Sequence, residues 1–270
     1  MVPWSMSQMV GVLEELAPLS LAEAWDNVGL IVEAPSRRAL TTVLLTIDLT
    51  ETVLTEALDK GAQLIVSYHP PVFAGLKRIT QATPVGRLVS GLLAQGVSVY
   101  TPHTALDAVA GGINDWLMAA FVGHRDVAPI VAAGVARDGF PVGMGRTASL
   151  SPALSLKEAL RALKDHLGLT HLRVASPAPS RPIRRVGVCP GAGGTLFREV
   201  GDVDLLVTGE MRHHDVLAHV ANGRSVVLTE HTNSERGYLP VFARRLAAAC
   251  GEGAPTVLWA QTDADPLVTV

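Results

Sequence analysis

Four short segments of the chain concentrate side chains that can hold a metal or move a proton: SYHPPVF (67–73), YTPHTALDA (100–108), TGEMRHHD (208–215) and TEHTNSERG (229–237). Five of the nine histidines fall within them, namely His69, His103, His213, His214 and His231, beside Asp107, Glu210 and Glu235. Neutral imidazole is a good ligand for zinc, iron, nickel or copper. Carboxylates extend the choice to magnesium and manganese and can bridge two ions. A mixed shell of His69, Asp107, His231 and Glu235 therefore predicts a borderline divalent metal. His231 and Glu235 are four residues apart, a spacing that puts both on one face of a helix. Asn233 or Ser234 reads as an N-cap, which would leave His231 ahead of the helix and Glu235 in its first turn. Each residue also has a plainer reading. A strand-end histidine beside Thr and Pro is often only a hydrogen-bonded loop residue, and Glu235 could simply favour a helix N-terminus. Only the four segments taken together point to a site. His124, His166, His171 and His219 lack that context and read as structural.

Each of the four segments directly follows an apolar run that reads as a strand. The candidate strands are Val43–Asp48, Leu64–Tyr68, Val97–Thr101, Leu172–Ala175, Arg185–Cys189, Leu205–Thr208, Ser225–Thr229 and Thr256–Ala260. Runs such as LLVTG and SVVLT suit strands covered on both faces. Helical patterns fall between them at Thr52–Lys60, Pro84–Gln95, Gly112–Phe121, Leu156–Leu167, His214–Asn222 and Leu239–Cys250, several of them ending at a glycine. Such alternation predicts an α/β fold of mainly parallel sheets flanked by helices. Ligands of such sheets bind beyond the carboxyl ends of the strands, so segments far apart in sequence can converge. Asp126 to Leu150 is rich in Gly, Ala and Val and shows no clear period. It suggests a boundary near residue 125, with an N-terminal α/β lobe over 1–125 and a C-terminal one over 126–270. A weak internal echo supports two related lobes: TPHT runs on to Asp107 as TEHT runs on to Glu235.

Composition excludes several classes. Hydrophobic residues make up 48% and charged residues 17% of the 270, which argues against disorder and hints at apolar faces that self-associate. Net charge is −3 and basic residues occur in pairs rather than runs, which argues against direct nucleic-acid binding. Two distant cysteines, Cys189 and Cys250, make neither a disulfide framework nor a zinc ribbon, and suit a cytoplasmic protein. The N-terminal segment carries Glu14 and Glu15 and reads as an amphipathic helix rather than a signal peptide, and the uncharged run 88–106 is broken by Gly96 and Pro102 rather than spanning a membrane. CPGAGGT (189–195) could present backbone N–H groups to an anion or be a plain tight turn, and it lacks the P-loop and dinucleotide patterns. Cys189 reads as a buried structural residue. WDNVGL (25–30) could close a rim of the cleft or merely turn the chain, and Lys77 and Arg78 could meet an anionic substrate or be solvated.

AWDNVGL, SYHPPVFAGLKRIT, YTPHTALDAVAGGINDWL, CPGAGG, TGEMRHHDVL and EHTNSERGYL, in this order, resemble the Ngg-interacting-factor-three-like family, whose members often carry the label GTP cyclohydrolase I type 2 homologue. The similarity runs from about Trp25 to Leu239, without the large insertion of some bacterial members. The resemblance implies two α/β lobes, a dinuclear metal site in a cleft between them, and ring-like assembly, commonly a homohexamer. Matched to the family's motifs, His69 is the second histidine of a His-His pair, Asp107 the aspartate of an HTxLD-like motif, and His231 and Glu235 the last ligands, with Glu235 bridging. Tyr68 stands where the family has its first histidine. One ion would then lose a ligand unless Tyr68 ionises, His103 moves in, or water fills the gap.

Two kinds of function follow. One is a metal-dependent hydrolase of a small polar substrate, a nucleotide or cyclic amide. It would use one or two ions of zinc, iron or manganese, with His213 or His214 as general acid or base and Glu210 orienting them. The other is a non-catalytic metal-handling or regulatory protein that binds a partner.

Overall fold

The apolar runs become strands closed to solvent along their length: Leu64–Ser67, Leu205–Thr208 and Ser225–Leu228 are buried at every position. In the computed structural model, which describes residues 4–35, 39–136 and 139–268, the strands in chain order are β1 (Gly29–Val32), β2 (Thr42–Thr46), β3 (Leu64–Ser67), β4 (Ser98–Thr101), β5 (His124–Ala128), β6 (Val131–Val135), β7 (Pro141–Met144), β8 (Arg146–Leu154), β9 (Arg173–Ala175), β10 (Ile183–Cys189), β11 (Leu205–Thr208), β12 (Ser225–Leu228) and β13 (Thr256–Trp259). The α-helices are α1 (Met6–Leu16), α2 (Glu51–Asp59), α3 (Pro84–Gln95), α4 (His103–Ala108), α5 (Ile113–Met118), α6 (Leu156–Leu167), α7 (His213–Ala221) and α8 (Leu239–Cys250).

Local chemistry explains several ends. Thr83 caps α3, Pro84 opens it, and Gly96 closes it in the left-handed conformation at φ +70°. Ser155 and Glu158 form a reciprocal capping box at the start of α6. No helix among the described residues is long and apolar enough to cross a membrane.

The chain divides into two compact units, Met1–Leu106 with Tyr238–Ala264, and Asp107–Gly237 with Asp265–Val270. A break near residue 125 would leave the C-terminal segment with the second lobe. Instead β13 pairs in parallel with β2, Val257 opposite Val43, and α8 packs on β13, so this segment completes the first unit. The sheet of the first unit runs β1-β4-β3-β2-β13. It is parallel throughout except at β1, which meets β4 antiparallel. Its core gathers Leu44, Val53, Ile65, Leu92 and Val99, all with at most 0% exposure.

The second unit departs from the expected mainly parallel arrangement. Its larger sheet runs β5-β8-β10-β11-β12-β9, and only the β10-β11-β12 centre is parallel. β5, β8 and β9 join antiparallel. β5 and β8, with the small β6-β7 ribbon, come from the stretch that shows no period in sequence. The reason is visible in the burial: β6 is exposed at all its positions, and β5 is exposed or half-buried, so neither carries a clean apolar face. Val186, Val188, Leu205, Val207 and Val227 form the core beneath the parallel centre.

Candidate metal centre

In the first unit β2, β3 and β4 are parallel neighbours, so their carboxyl ends lie side by side. β3 delivers Tyr68 and His69. Their backbone amides donate to the carbonyls of Thr46, the last residue of β2, and Ile47 just after it, at 2.9 and 3.0 Å, which extends the ladder past the strand proper. His69 Nδ1 lies 2.9 Å from Asp48 Oδ1, at the end of β2. β4 leads through Pro102 to His103, which takes a φ of +28°, a costly conformation for a non-glycine residue, as α4 begins. His103 Nδ1 lies 2.7 Å from Asp26 Oδ1. The Asp26 carboxylate, whose side chain has 0% exposure, also accepts from the backbone and hydroxyl of Thr104. Burial alone would push this carboxyl up. The hydrogen bonds from His103 and Thr104, and then the charge on His103, outweigh it and hold the group below its ordinary value of 3.8. Tyr68 is buried, with its ring centroid 5.0 Å from that of His69 and 5.4 Å from that of His103. Trp25 stands edge-on to His103 at 6.0 Å. Asn27 Nδ2 donates to the Val72 carbonyl and ties the WDNVGL turn to the segment after β3.

In the second unit β10, β11 and β12 are parallel neighbours in the same way. β12 leads through Glu230, at φ +68°, to His231. The residues after it form a 3-10 turn, Thr232–Ser234, and α8 starts only at Leu239. Asn233 and Ser234 are therefore not the N-cap of a helix carrying Glu235. The Ser234 hydroxyl donates to the His231 carbonyl and accepts from the Gly191 amide at 2.8 Å. This short turn keeps His231 Nε2 3.5 Å from Glu235 Oε1, with Glu235 only 2% exposed. On the other side of the ring, His231 Nδ1 lies 2.9 Å from Glu210 Oε1.

The glycine-rich turn after β10 makes room for this pair. Gly191 has φ +64°, and a Cβ there would come within 2.7 Å of Glu235 Oε1 and 3.1 Å of His231 Nε2. Its carbonyl accepts from the Thr208 hydroxyl and the Glu210 amide, at 3.0 and 2.9 Å. Of the two readings of CPGAGGT, its first residues fit the tight turn, and that turn cradles His231 and Glu235. Cys189, at the head of the turn, is buried. Burial first, then the charges of Asp107 and Glu235, push its thiol far above the ordinary cysteine range, so it stays protonated at neutral pH.

His69, His231 and Glu235 make a group of three side chains that could hold one metal ion. Asp107 lies at the end of α4, 9% exposed, outside that group. The chain just beyond it is fastened by Arg146, wholly buried, which binds the Asp115 carboxylate and donates to the carbonyls of Ala108 and Val109. Arg146 comes from the stretch that looks featureless in sequence. His213 and His214 occupy the exposed first turn of α7, their rings 5.5 Å apart. Glu210 sits on His231 rather than on that histidine pair, because its amide is held back against Gly191. Sequence reasoning missed the carboxylates behind the other two histidines. Asp26 had a signal, the turn-forming Asp-Asn of WDNVGL. Asp48 had only its place at the end of a predicted strand.

Fold and site together define a mixed α/β protein whose strand ends present histidines backed by carboxylates. Comparison with known proteins carries this further. The family model described as Duf34/NIF3 (NGG1p interacting factor 3) matches residues 4–266, and the chain belongs to that family. It is 41% identical to the protein NIF3 homolog of Schizosaccharomyces pombe, over 98% of both chains. It is 31% identical to a Clostridium perfringens protein named GTP cyclohydrolase 1 type 2 homolog, over 85% of this chain and 86% of the other. The crystal structure of a Bacillus cereus protein related to NIF3 has the same fold, with a TM-score of 0.90 at 18% identity and complete coverage of both chains.

Proposed function

We propose that this chain is a divalent-metal-dependent hydrolase acting on a small polar substrate of the nucleotide or cyclic-amide class. One observation carries the reading. Three strand-end histidines, His69, His103 and His231, each have Nδ1 on a carboxylate, Asp48, Asp26 and Glu210 respectively. A metal-binding imidazole characteristically donates its other ring N–H to such a group, which fixes the tautomer and raises the basicity of the coordinating nitrogen. In this reading His69, His231 and Glu235 would hold the ion, the two imidazoles through the nitrogen that Asp48 and Glu210 leave open. Asp107 would join them, and Tyr68 or His103 would serve a second ion. The donor set fits zinc, iron or manganese, and Gly191 leaves space at Glu235 and His231 that a side chain there would close.

A bound divalent ion supplies Lewis acidity, polarising the bond under attack and making water a usable nucleophile near neutral pH. The protein's own groups do the rest. Asp48 and Glu210 hold the imidazole rings in register. His213 or His214, exposed to solvent at the start of α7, passes a proton to the leaving group or takes one from water. The name of the Clostridium perfringens relative points to a nucleotide substrate. Assembly into a homohexamer belongs to the same reading and is checked by light scattering.

The test is a turnover screen of protein loaded with zinc, iron or manganese against nucleotides, cyclic amides and phosphoesters, beside Glu235→Gln. Metal-dependent turnover that the variant loses supports the proposal. No turnover of any class by the metal-loaded parent rules it out.

A further inference from the structure

The chain has four Trp, three Tyr and five Phe. Of these aromatic residues only Trp25 and Phe73 are more than half exposed, at 60% and 56%. The two are in contact, with ring centroids 6.0 Å apart and planes tilted by 46°. Large rings normally hide most of their surface. One exposed ring alone needs no explanation. Here the two most exposed aromatic rings of the chain meet each other, and together they make a patch.

The patch stands on fixed chain. Trp25 precedes Asp26, whose side chain is closed to solvent. The Asp26 carboxylate accepts from the Thr104 backbone and hydroxyl and meets His103 Nδ1 at 2.7 Å. Asn27 donates to the carbonyl of Val72, the residue before Phe73. A ligand that stacks on these rings therefore loses little affinity to ordering the segments that carry them. The ring contacts also run inward within the first unit. Trp25 stands edge-on to His103 at 6.0 Å, and His103 edge-on to His69 at 5.4 Å. The exposed pair is thus the outer end of a row of rings that reaches one of the three side chains able to hold an ion. On the exposed loop that follows Phe73, Lys77 and Arg78 have no carboxylate partner among the described residues. Flat exposed rings suit a planar ring in the ligand, and cations on the same loop suit an anionic tail on it.

We propose that Trp25 and Phe73 form a stacking platform for the planar heteroaromatic ring of the substrate, which selects the nucleotide over the cyclic amide. A saturated cyclic amide has no π-face to offer. The word substrate rests on the hydrolase reading above, while the stacking site stands on the two rings and their supports. Base stacking on an aromatic side chain tolerates every base, because each has a π-face. A purine covers more of the indole than a pyrimidine does, so purines bind more tightly.

The test is calorimetric titration of the zinc-loaded full chain with guanosine monophosphate, uridine monophosphate and ribose 5-phosphate, for the parent, Trp25→Ala, Trp25→Phe and Phe73→Ala. Metal content and light scattering are measured on each protein. The expected result is saturable nucleotide binding by the parent, tighter for the purine. Trp25→Ala weakens it about tenfold or more, Trp25→Phe and Phe73→Ala less, at unchanged metal content and assembly. Ribose 5-phosphate binds weakly and to the same extent in all four proteins. No saturable nucleotide binding, ribose 5-phosphate binding as tightly as the nucleotides, or equal affinity in the parent and Trp25→Ala overturns the proposal. So does a change of assembly in Trp25→Ala and Phe73→Ala, which would make the pair an interface between copies of the chain. Trp25-dependent nucleotide binding by a metal-loaded parent that turns nothing over would keep the platform and sink the hydrolase reading.

Discussion

The two units solve one problem with different materials. Each ends a set of parallel strands in a histidine whose Nδ1 is held by a carboxylate, and each enters one such histidine through a left-handed residue, His103 itself in the first and Glu230 in the second. Even the following threonines echo each other: the Thr104 hydroxyl donates to Asp26 and that of Thr232 to Asp265. The surroundings differ. The first unit packs its histidines with side chains, a buried Tyr68 against the rings of His69 and His103, which also touch each other, and Trp25 against His103. The second unit uses backbone, a glycine turn threaded by the hydroxyls of Ser234 and Thr208. A histidine walled by side chains can tolerate small changes in them, because neighbours relax. One walled by backbone cannot, because the main chain has nowhere to go.

That contrast orders the expected effects of mutation. The largest is on the backbone support of the second unit. Arg146→Ala would strand Asp115 and release the carbonyls of Ala108 and Val109. Breaking a buried ion pair in this way costs about 3–5 kcal/mol, to be read from denaturant unfolding. A loss under about 1 kcal/mol would show that Arg146 is not the anchor described. Gly191→Ala comes next. The left-handed backbone and the collision with Glu235 together predict a loss of at least about 2 kcal/mol, together with weakened metal binding. Tyr68→Phe, the matching change in the side-chain wall, should cost less stability than Gly191→Ala and leave the ion at His69, His231 and Glu235 nearly as it was. Equal sensitivity at the two positions would break the comparison.

Smaller effects should fall on the carboxylates behind the ligands. Asp48→Asn and Glu210→Gln each remove the charge that holds a ligand ring, and each should weaken metal binding by about 10–100-fold in competition with a chelator. Asp26→Asn should not weaken binding of the ion at His69, His231 and Glu235, since it supports His103, which lies outside that group. Its effect is on acid stability. The Asp26 carboxyl is held below 3.8 in the folded protein. The stability it contributes is therefore fully present above that pH and is lost as pH falls through the folded value. Glu56 acts in the same direction in the same unit. Burial opposes its ionisation, but Lys60, Thr262 and the Gln261 amide hold it at about 2 against an ordinary 4.5. Thermal melting between pH 5 and about 2 should show Asp26→Asn and Glu56→Gln flattening the acid limb. An unchanged limb in both would remove the pKa argument.

Much of this was legible in the sequence wherever local rules and burial agree. β11 and the helices α3, α6 and α8 run between the residues that the apolar pattern and the Gly or Pro boundaries indicate. The strand-end positions of His69 and His231 followed from the same pattern. What escaped needs long-range contact. β13 returns to the first sheet through pairing with β2. The Asp26 and Asp48 partners are 77 and 21 residues from their histidines, and nothing local announces them. α4 was hidden because it begins at a strained His103 directly after a proline. Glu210 was picked out in the right segment, but its carboxylate meets His231 rather than the His213–His214 pair, since the turn that aims it is made by Gly191, just after β10.

The proposed function depends on metal held by His69, His231 and Glu235. Metal content per chain, measured by mass spectrometry on protein purified without chelator or histidine tag, tests it most directly, with His231→Ala alongside. The expected result is at least one equivalent of zinc, iron or manganese in the parent and clear loss in the variant. Two equivalents would add the second ion, and one would mean that Tyr68 in place of a histidine costs it. A parent that holds no metal after reloading with all three, or a His231→Ala variant that keeps the parent's content, would contradict the claim.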